Sequence, residues 1–128
     1  MGETVTVLSI DDDAEVTEMI SVMLGLEGFE VSTAQSVFEG MKALSDALPD
    51  VVLLDVMMPG VDGMQFCAAL RDSEETAQIP VIFVSALGGQ KDLEAASAAG
   101  AVGYVTKPLS SATLVTAISD ALSTEPRI

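Results

Sequence analysis

One stretch indicates the fold most directly: Val51-Val-Leu-Leu-Asp-Val-Met-Met-Pro-Gly-Val-Asp-Gly63. Four apolar residues run into a carboxylate, Asp55, and turn residues follow soon after it. A short apolar run bounded by turn residues is typical of a strand that is buried on both faces of a parallel sheet. Ligands of such sheets bind at the carboxyl ends of the strands, which is where Asp55 lies. The alternative is that Asp55 only caps the turn that follows it.

Segments with strand character alternate with segments of helical spacing along the rest of the chain. Strands are predicted over 4–10, 29–34, 51–55, 80–84 and 101–106, and helices over 16–24, 36–48, 64–70, 92–99 and 114–122. Asp13 is placed as a helix N-cap, and Ser36 opens a capping-box sequence with Glu39. Five strand–helix repeats predict an α/β fold, a parallel sheet with helices on both faces and right-handed crossovers.

The apolar faces of the first two helices follow from their spacing. The first is expected to bury Val16, Met19, Ile20, Met23 and Leu24, and the second to bury Val37, Met41, Leu44 and Leu48. The fourth helix, 92–99, is rich in Ala and has the weakest apolar face. It is therefore expected to be the least firmly anchored element.

Length and composition favour one domain in a reducing compartment. The 128 residues are 49% hydrophobic, which is enough for one core, and we assign a single domain to 1–128 with a core of 4–123 and a tail of 124–128. No apolar run is long enough to span a bilayer, and the N-terminus lacks the features of a signal peptide. The lone Cys67 cannot form an internal disulfide. We therefore expect a cytoplasmic protein that does not contact membranes.

The charge of the chain excludes several classes of function. Five basic and twenty acidic residues give a formal net charge of -15 at pH 7. Such a surface repels phosphate backbones, so direct binding of nucleic acid is not expected. The absence of His, together with a single Cys, excludes the usual zinc sites and His-based catalytic triads.

Polar side chains arrive at one edge of the predicted sheet. Asp11 and Asp12 follow the first strand, Asp55 ends the third, Ser85 follows the fourth, and Lys107 follows the fifth. Neighbouring carboxylates disfavour one another's charged forms, and a divalent cation would remove that conflict. Oxygen ligands favour magnesium, which commonly bridges carboxylates to a phosphoryl group. The implied chemistry is phosphoryl transfer.

Each residue of this set has a role in such a transfer. Asp55 is the nucleophile, because a carboxylate can form an acyl phosphate. Lys107 places a positive charge on one phosphoryl oxygen, while the Ser85 hydroxyl and the Ala86 backbone N–H contact another. Taken alone, Ser85 could be an ordinary strand-end hydroxyl and Lys107 a solvated surface charge. Their joint arrival at strand ends favours the functional interpretation.

Four motifs identify the chain as similar to the receiver domain of two-component response regulators. They are Val-Leu-Ser-Ile-Asp-Asp-Asp, Leu-Leu-Asp-Val-Met-Met-Pro-Gly-Val-Asp-Gly, Pro-Val-Ile-Phe-Val-Ser-Ala and Gly-Tyr-Val-Thr-Lys-Pro-Leu. The resemblance covers nearly all of 4–123. It implies a doubly wound, flavodoxin-like (βα)5 fold with sheet order 2-1-3-4-5, and a cis bond between Lys107 and Pro108.

The resemblance also implies a chemistry and a set of ligands. Asp55 would accept a phosphoryl group from the phosphohistidine of a sensor histidine kinase or from a phosphotransfer protein. Magnesium, for which manganese can substitute, would be held by Asp11, Asp12, Asp55 and the backbone carbonyl of Met57. The protein would then be a switch and not a turnover enzyme, since it catalyses only its own phosphorylation and slow dephosphorylation.

Signal output is implied to run through a second pair of residues. In the family, phosphorylation draws the hydroxyl of the residue matched by Ser85 toward the phosphoryl group, and the ring matched by Tyr104 turns inward. Such a switch is a population shift between two packed states. A downstream effector or output domain would meet the fourth helix, fifth strand and fifth helix. The domain would be a monomer or a phosphorylation-dependent homodimer. Tyr104 could instead be a plain half-buried strand aromatic.

Two alternatives use the same residues differently. A haloacid-dehalogenase-like phosphatase also begins from a strand-end Asp and magnesium, but it requires a second Asp where this chain has Met57. A pseudo-receiver would use the fold as an interaction module without phosphorylation. The intact set of Asp11, Asp12, Asp55, Ser85 and Lys107 argues against it, and failure to bind magnesium would revive it.

The phosphorylated form is predicted to be long-lived. Met57 and Leu87 stand where some receiver domains carry polar side chains that assist or hinder the attacking water. Two apolar side chains there would shield the phosphoryl group and offer water no hydrogen bond. A time course of intact mass after removal of the phosphodonor measures the lifetime, and a half-life of only seconds would contradict the prediction.

Overall fold

The computed structural model describes residues 4–56, 58, 63–86 and 88–123. Within them, strands and helices alternate as the sequence predicts. The strands are β1 (Thr6–Ile10), β2 (Glu30–Ala34), β3 (Val51–Asp55), β4 (Val81–Ser85) and β5 (Gly103–Thr106). The helices are α1 (Ala14–Leu26), α2 (Val37–Asp46), α3 (Gly63–Asp72), α4 (Gln90–Ala98) and α5 (Ser111–Ser123). No helix of this part of the chain is both long and apolar enough to cross a membrane.

The five strands form one parallel sheet in the order β2-β1-β3-β4-β5, which confirms the predicted order. Ile10 pairs with Leu54, and Asp55 pairs with Val84. Ser85 pairs with Thr106 on the other side of β4. The strands therefore end at nearly the same level, and the residues that follow them share one edge of the sheet.

The core lies in two layers, one on each face of the sheet. Alternate residues of β3 contribute to the two layers. Val52 and Leu54 lie in the first layer, with Phe66 and Leu70 of α3. Val51 and Leu53 lie in the second layer. The second layer contains buried residues of α1 and α5. All of β3 and β4 is buried, so the apolar run that the sequence shows is the centre of the sheet.

Helix caps form close to where the sequence places them. The Asp13 carboxylate accepts a hydrogen bond from the backbone N–H of Glu15 at the start of α1 (3.0 Å). Ser36 Oγ accepts from the backbone N–H of Glu39 (3.0 Å). In return, Glu39 accepts from the backbone N–H of Gln35, one residue before the cap (2.8 Å). The capping interaction is reciprocal, but it is displaced by one residue from the expected pattern.

The apolar face predicted for the second helix is partly wrong. Leu44 is buried, whereas Met41 is 49% exposed and Leu48 lies beyond the end of α2 and is 53% exposed. The buried line of α2 runs through Gly40, where an added Cβ would lie 2.7 Å from Ile10 Cδ1. Because the helix touches β1 at a glycine, the buried face is rotated away from Met41. The Met19 prediction for α1 is wrong too, since 42% of this residue is exposed.

Core packing in α1 gives a stability prediction with a matched control. Leu24 is fully buried, and Leu26 on the same helix is 84% exposed. Leu24→Ala is expected to reduce the free energy of unfolding by about 2–5 kcal/mol, through lost burial and the cavity left behind. Leu26→Ala is expected to change it by less than about 0.5 kcal/mol. Urea unfolding followed by circular dichroism measures both, and equal effects would contradict this assignment of the core.

Candidate functional site

The register of the sheet brings four of the predicted residues to one edge. Asp11 follows Ile10, which pairs with Leu54, so Asp11 lies beside Asp55. Ser85 ends β4, and the Lys107 backbone N–H donates to the Ser85 carbonyl oxygen (2.8 Å). The Lys107–Pro108 peptide bond is cis, as expected. The carboxyl ends of β1, β3, β4 and β5 thus supply a single cluster of polar side chains.

Lys107 lies against two carboxylates of this cluster. Its Nζ is 3.5 Å from Asp11 Oδ2 and 4.0 Å from Asp55 Oδ2. The side chains of Asp11 and Asp55 are only 3% and 6% exposed, whereas that of Lys107 is 28% exposed. One ammonium therefore faces two nearly buried acids and still reaches solvent. The site retains an excess of negative charge.

Asp12 completes a group of carboxylates that could hold a metal ion. One carboxylate oxygen from each of Asp11, Asp12 and Asp55 lies within 4.8 Å of the other two. Asp12 is exposed, so the group opens to solvent on its side. Asp11 Oδ1 also accepts from the backbone N–H of Asp13, which fixes that carboxylate (2.9 Å). Oxygen donors that face both solvent and the sheet fit a hard divalent cation that keeps some of its water.

Burial dominates the ionisation of Asp11. Desolvation raises the pKa of its carboxyl above the ordinary value, and the backbone N–H of Asp13 opposes that shift. The neighbouring Asp55 raises this pKa further, while Lys107 lowers it. The net direction is upward. Without a further cation, the ionised site is therefore electrostatically unfavourable.

The remaining predicted residues surround this cluster or lie outside the described part of the chain. Ser85 is fully buried, and Ala86, the next residue, is exposed. Tyr104 of β5 is half-buried, with its ring centroid 6.4 Å from that of Phe83. Met57 and Leu87 are outside the described residues, so their predicted roles stay predictions.

Two contacts near the site were not anticipated from the sequence. Gln35 Nε2 donates to Thr17 Oγ1 (2.9 Å), which ties the β2–α2 loop to the first turns of α1 beside Asp13. At Gly88, an added Cβ would lie 2.7 Å from Thr106 Oγ1, so the segment before α4 runs close to the end of β5. Both contacts join residues 18 apart along the chain. No local spacing signal could have indicated them.

The family model of the response regulator receiver domain matches residues 7–119. The chain belongs to this family. The recognition made from four sequence motifs is therefore confirmed, and so is the flavodoxin-like fold. The predicted function as a two-component receiver domain is confirmed at the level of the family.

Similar domains occur within longer proteins and in a chain that is matched over its whole length. It is 38% identical to the DNA-binding dual master transcriptional regulator RpaA of a Synechocystis species, over 80% of this chain and 42% of that protein. It is 41% identical to the response regulator PleD of Caulobacter vibrioides, over 80% of this chain and 23% of that protein. The structure of chemotaxis protein CheY4 of Vibrio cholerae superposes with a TM-score of 0.88 at 28% identity, covering 94% of this chain and all of that one. The chain thus spans less than half the length of these two curated relatives.

The buried Asp11 carboxyl predicts a stabilising substitution in this receiver domain. Folding raises the pKa of this carboxyl, so its protonated form stabilises the folded protein. That stabilisation is fully present below pH 3.8, the ordinary pKa, and is lost as pH rises through the raised pKa. Asp11→Asn should therefore raise the Tm of the metal-free protein at pH 7, and the gain should shrink on acidification. An Asn side chain keeps an oxygen for the Asp13 N–H.

Thermal unfolding in chelator across a pH series tests this expectation, with the exposed Asp12→Asn as the matched control. The control is expected to change the Tm less, because Asp12 is already solvated. A lower Tm for Asp11→Asn at pH 7 would mean that the attraction between Asp11 and Lys107 outweighs the effect of burial.

Proposed function

We propose that this receiver domain accepts a phosphoryl group from a histidine kinase phosphohistidine onto Asp55 and switches conformation in response. The observation that carries the proposal is the position of Lys107 Nζ, 3.5 Å from Asp11 Oδ2 and 4.0 Å from Asp55 Oδ2 at the carboxyl edge of the sheet. A lone cap or surface acid would need neither a buried acidic neighbour nor a shared ammonium. Family membership supports the same conclusion.

Asp55 is the proposed nucleophile. One of its carboxylate oxygens attacks phosphorus in line with the bond to the donor nitrogen, and the P–N bond breaks as the P–O bond forms. The neutral imidazole of the kinase leaves after taking up a proton. The rigid position of Asp55 at the end of a fully buried strand supports this role, because little reorganisation is then needed for attack.

Lys107, Ser85 and Ala86 are proposed to hold the transferred group. The Lys107 ammonium would exchange its carboxylate contacts for a phosphoryl oxygen, and such charge-assisted contacts are strong where solvent is limited. The Ser85 hydroxyl and the Ala86 N–H would contact a second oxygen. Ser85 is adjacent to Lys107 through the backbone hydrogen bond of β4 to β5, which supports their acting together.

The carboxylates Asp11, Asp12 and Asp55 are proposed to hold magnesium, or manganese in its place. Their oxygens are hard donors that lie within 4.8 Å of one another. Burial, with a further contribution from Asp55, raises the pKa of Asp11, so a bound cation would favour its ionised form. When bound, the ion would neutralise charge on the phosphoryl oxygens. The Met57 carbonyl stays a sequence-based prediction as a further ligand.

Tyr104 and Ser85 are proposed as the switch. Tyr104 borders a cavity of about 170 Å³ beside α4 and an open depression of the surface beside α5. The half-buried ring therefore has space on both sides of β5, as a residue with two packed positions requires. The helix beside it is lightly anchored, since Ala96 is the one buried residue of α4. These features support an output surface on α4, β5 and α5.

Partners and setting follow from the same proposal. A sensor histidine kinase or phosphotransfer protein would supply the phosphoryl group, and an effector or output domain would receive the signal. We propose a cytoplasmic switch that is not a turnover enzyme, and that is a monomer or a phosphorylation-dependent homodimer. The charge of -15 argues that any contact with nucleic acid in a longer protein would be made by another region.

The deciding experiment is intact mass after incubation with magnesium and acetyl phosphate. The parent domain should gain one hydroxylamine-labile phosphoryl group, and Asp55→Asn should gain none. Asp46→Asn, which alters an exposed carboxylate of α2, is the matched control and should be labelled like the parent. Omission of magnesium should prevent labelling.

Two outcomes would overturn the proposal. Labelling of Asp55→Asn to the same extent would place the acceptor elsewhere. A parent that neither gains mass nor binds magnesium would instead be a pseudo-receiver, which interacts in its unmodified form.

A further inference from the structure

Three large apolar side chains lie exposed along one line of α2 and its end. Phe38 is 77% exposed, Met41 49% and Leu48 53%. Residues three apart on a helix project from the same side, so Phe38 and Met41 are neighbours. Leu48 follows the end of α2 and lines the same concavity as Met41. Single exposed apolar residues need no explanation, but a contiguous set commonly marks an interaction site.

Two of these residues also form the wall of a groove between α2 and α3. Met41 and Leu48 line a concavity of about 180 Å³ together with Leu44, Ala69 and Leu70. Leu48 also borders a second cavity of about 280 Å³, which reaches Thr6 and Pro49 near the amino ends of the strands. The apolar surface is therefore concave and continuous around the end of α2. It extends toward the edge of the sheet opposite the carboxylates.

The rim of this α2–α3 groove is acidic. Glu75 lines the groove itself, and Asp46 lines the adjoining cavity. Asp72 at the end of α3 and Glu74 after it are also exposed, whereas Lys42 is the exposed cation of α2. The nearby Arg71 turns inward, where its guanidinium donates to the Ala77 and Ile79 carbonyl oxygens. Its charge is thus directed away from the rim.

The charge determines which occupant fits. A second copy would bring the same acidic rim against itself, and an anionic membrane would be repelled by a chain of net charge -15. An apolar groove with an acidic rim is complementary to a helix that has one apolar face and Lys or Arg on its flanks. We propose that the α2–α3 groove docks a basic amphipathic helix of a protein partner, at a surface separate from the phosphorylation site.

A designed peptide of about 18 residues tests this surface, because it is long enough to form a helix when bound. Its Leu residues follow helical spacing and its other positions are Lys and Ala. A second peptide has the same composition in shuffled order, so that no apolar face forms. Amide chemical-shift mapping on the whole domain should place the first peptide on α2 and α3 with saturable binding, and the shuffled peptide should bind at least about tenfold more weakly.

Variants separate the apolar contribution from the charged one. Met41→Gln and Leu48→Gln, at two exposed residues that line the groove, should each weaken binding about tenfold. Val22→Gln on α1, also at an exposed apolar residue, should leave binding unchanged. Glu75→Gln should make the affinity less dependent on salt. All these residues are exposed, so an unchanged Tm verifies that each variant is folded.

Several results would overturn the proposal. Equal affinity for the shuffled peptide would indicate attraction by net charge alone. Shifts centred on α1 or on the α4, β5 and α5 surface would place the site elsewhere. Concentration-dependent dimerisation that Leu48→Gln abolishes would show that a second copy covers the groove. None of these outcomes depends on phosphorylation, so failure of this proposal is distinguishable from failure of the proposed switch.

Discussion

The contact of Lys107 with Asp11 and Asp55 depends on almost every other part of the fold. Asp11 and Lys107 are 96 residues apart along the chain, so only the completed sheet can join them. Their proximity requires β1, β3, β4 and β5 to be paired in register, because a slip by one residue would turn Asp55 toward the other face. The two core layers keep those central strands in place. The site is thus a consequence of sheet order.

This contact leaves the site short of positive charge. One partly exposed ammonium faces two buried carboxylates, with a third acid at the solvent side. The raised pKa of Asp11 is the sign that the charged form is disfavoured there. Groups that fold into an unfavourable electrostatic arrangement are typical of functional sites, where a ligand supplies what the protein lacks. A divalent cation is the kind of ligand that fits this description.

The surface divides into regions with different physical properties. The carboxyl edge of the sheet is polar and partly buried, and it is suited to chemistry. Around Tyr104, a lightly anchored helix and space beside the ring favour movement. The α2–α3 groove is apolar, concave and acidic at its rim, which favours docking. The proposed phosphorylation site, switch region and docking groove therefore differ in both polarity and shape.

The sequence by itself determined the order of the elements and the polar side chains that share one edge of the sheet. The apolar run before Asp55, the acids after Ile10 and the Ser85 and Lys107 strand ends are local signals, and parallel strands must deliver them to one edge. Some boundaries moved because pairing, not composition, ends a strand. Ser85 is part of β4 because it pairs with Thr106 of β5. The strand β5 begins at Gly103, later than the predicted start at residue 101.

Only the tertiary structure decided burial and contact. Asp11 and Asp12 are adjacent and identical in kind, yet the sheet buries the first and leaves the second in solvent. The apolar spacing of α2 suggested that Met41 and Leu48 share its buried face. The structure instead places Gly40 against Ile10 and leaves Met41 exposed, and Leu48 lies beyond the end of the helix. Helical periodicity determines which residues share a face of a helix. Which face packs against the sheet depends on the volumes of side chains on strands that are distant in sequence.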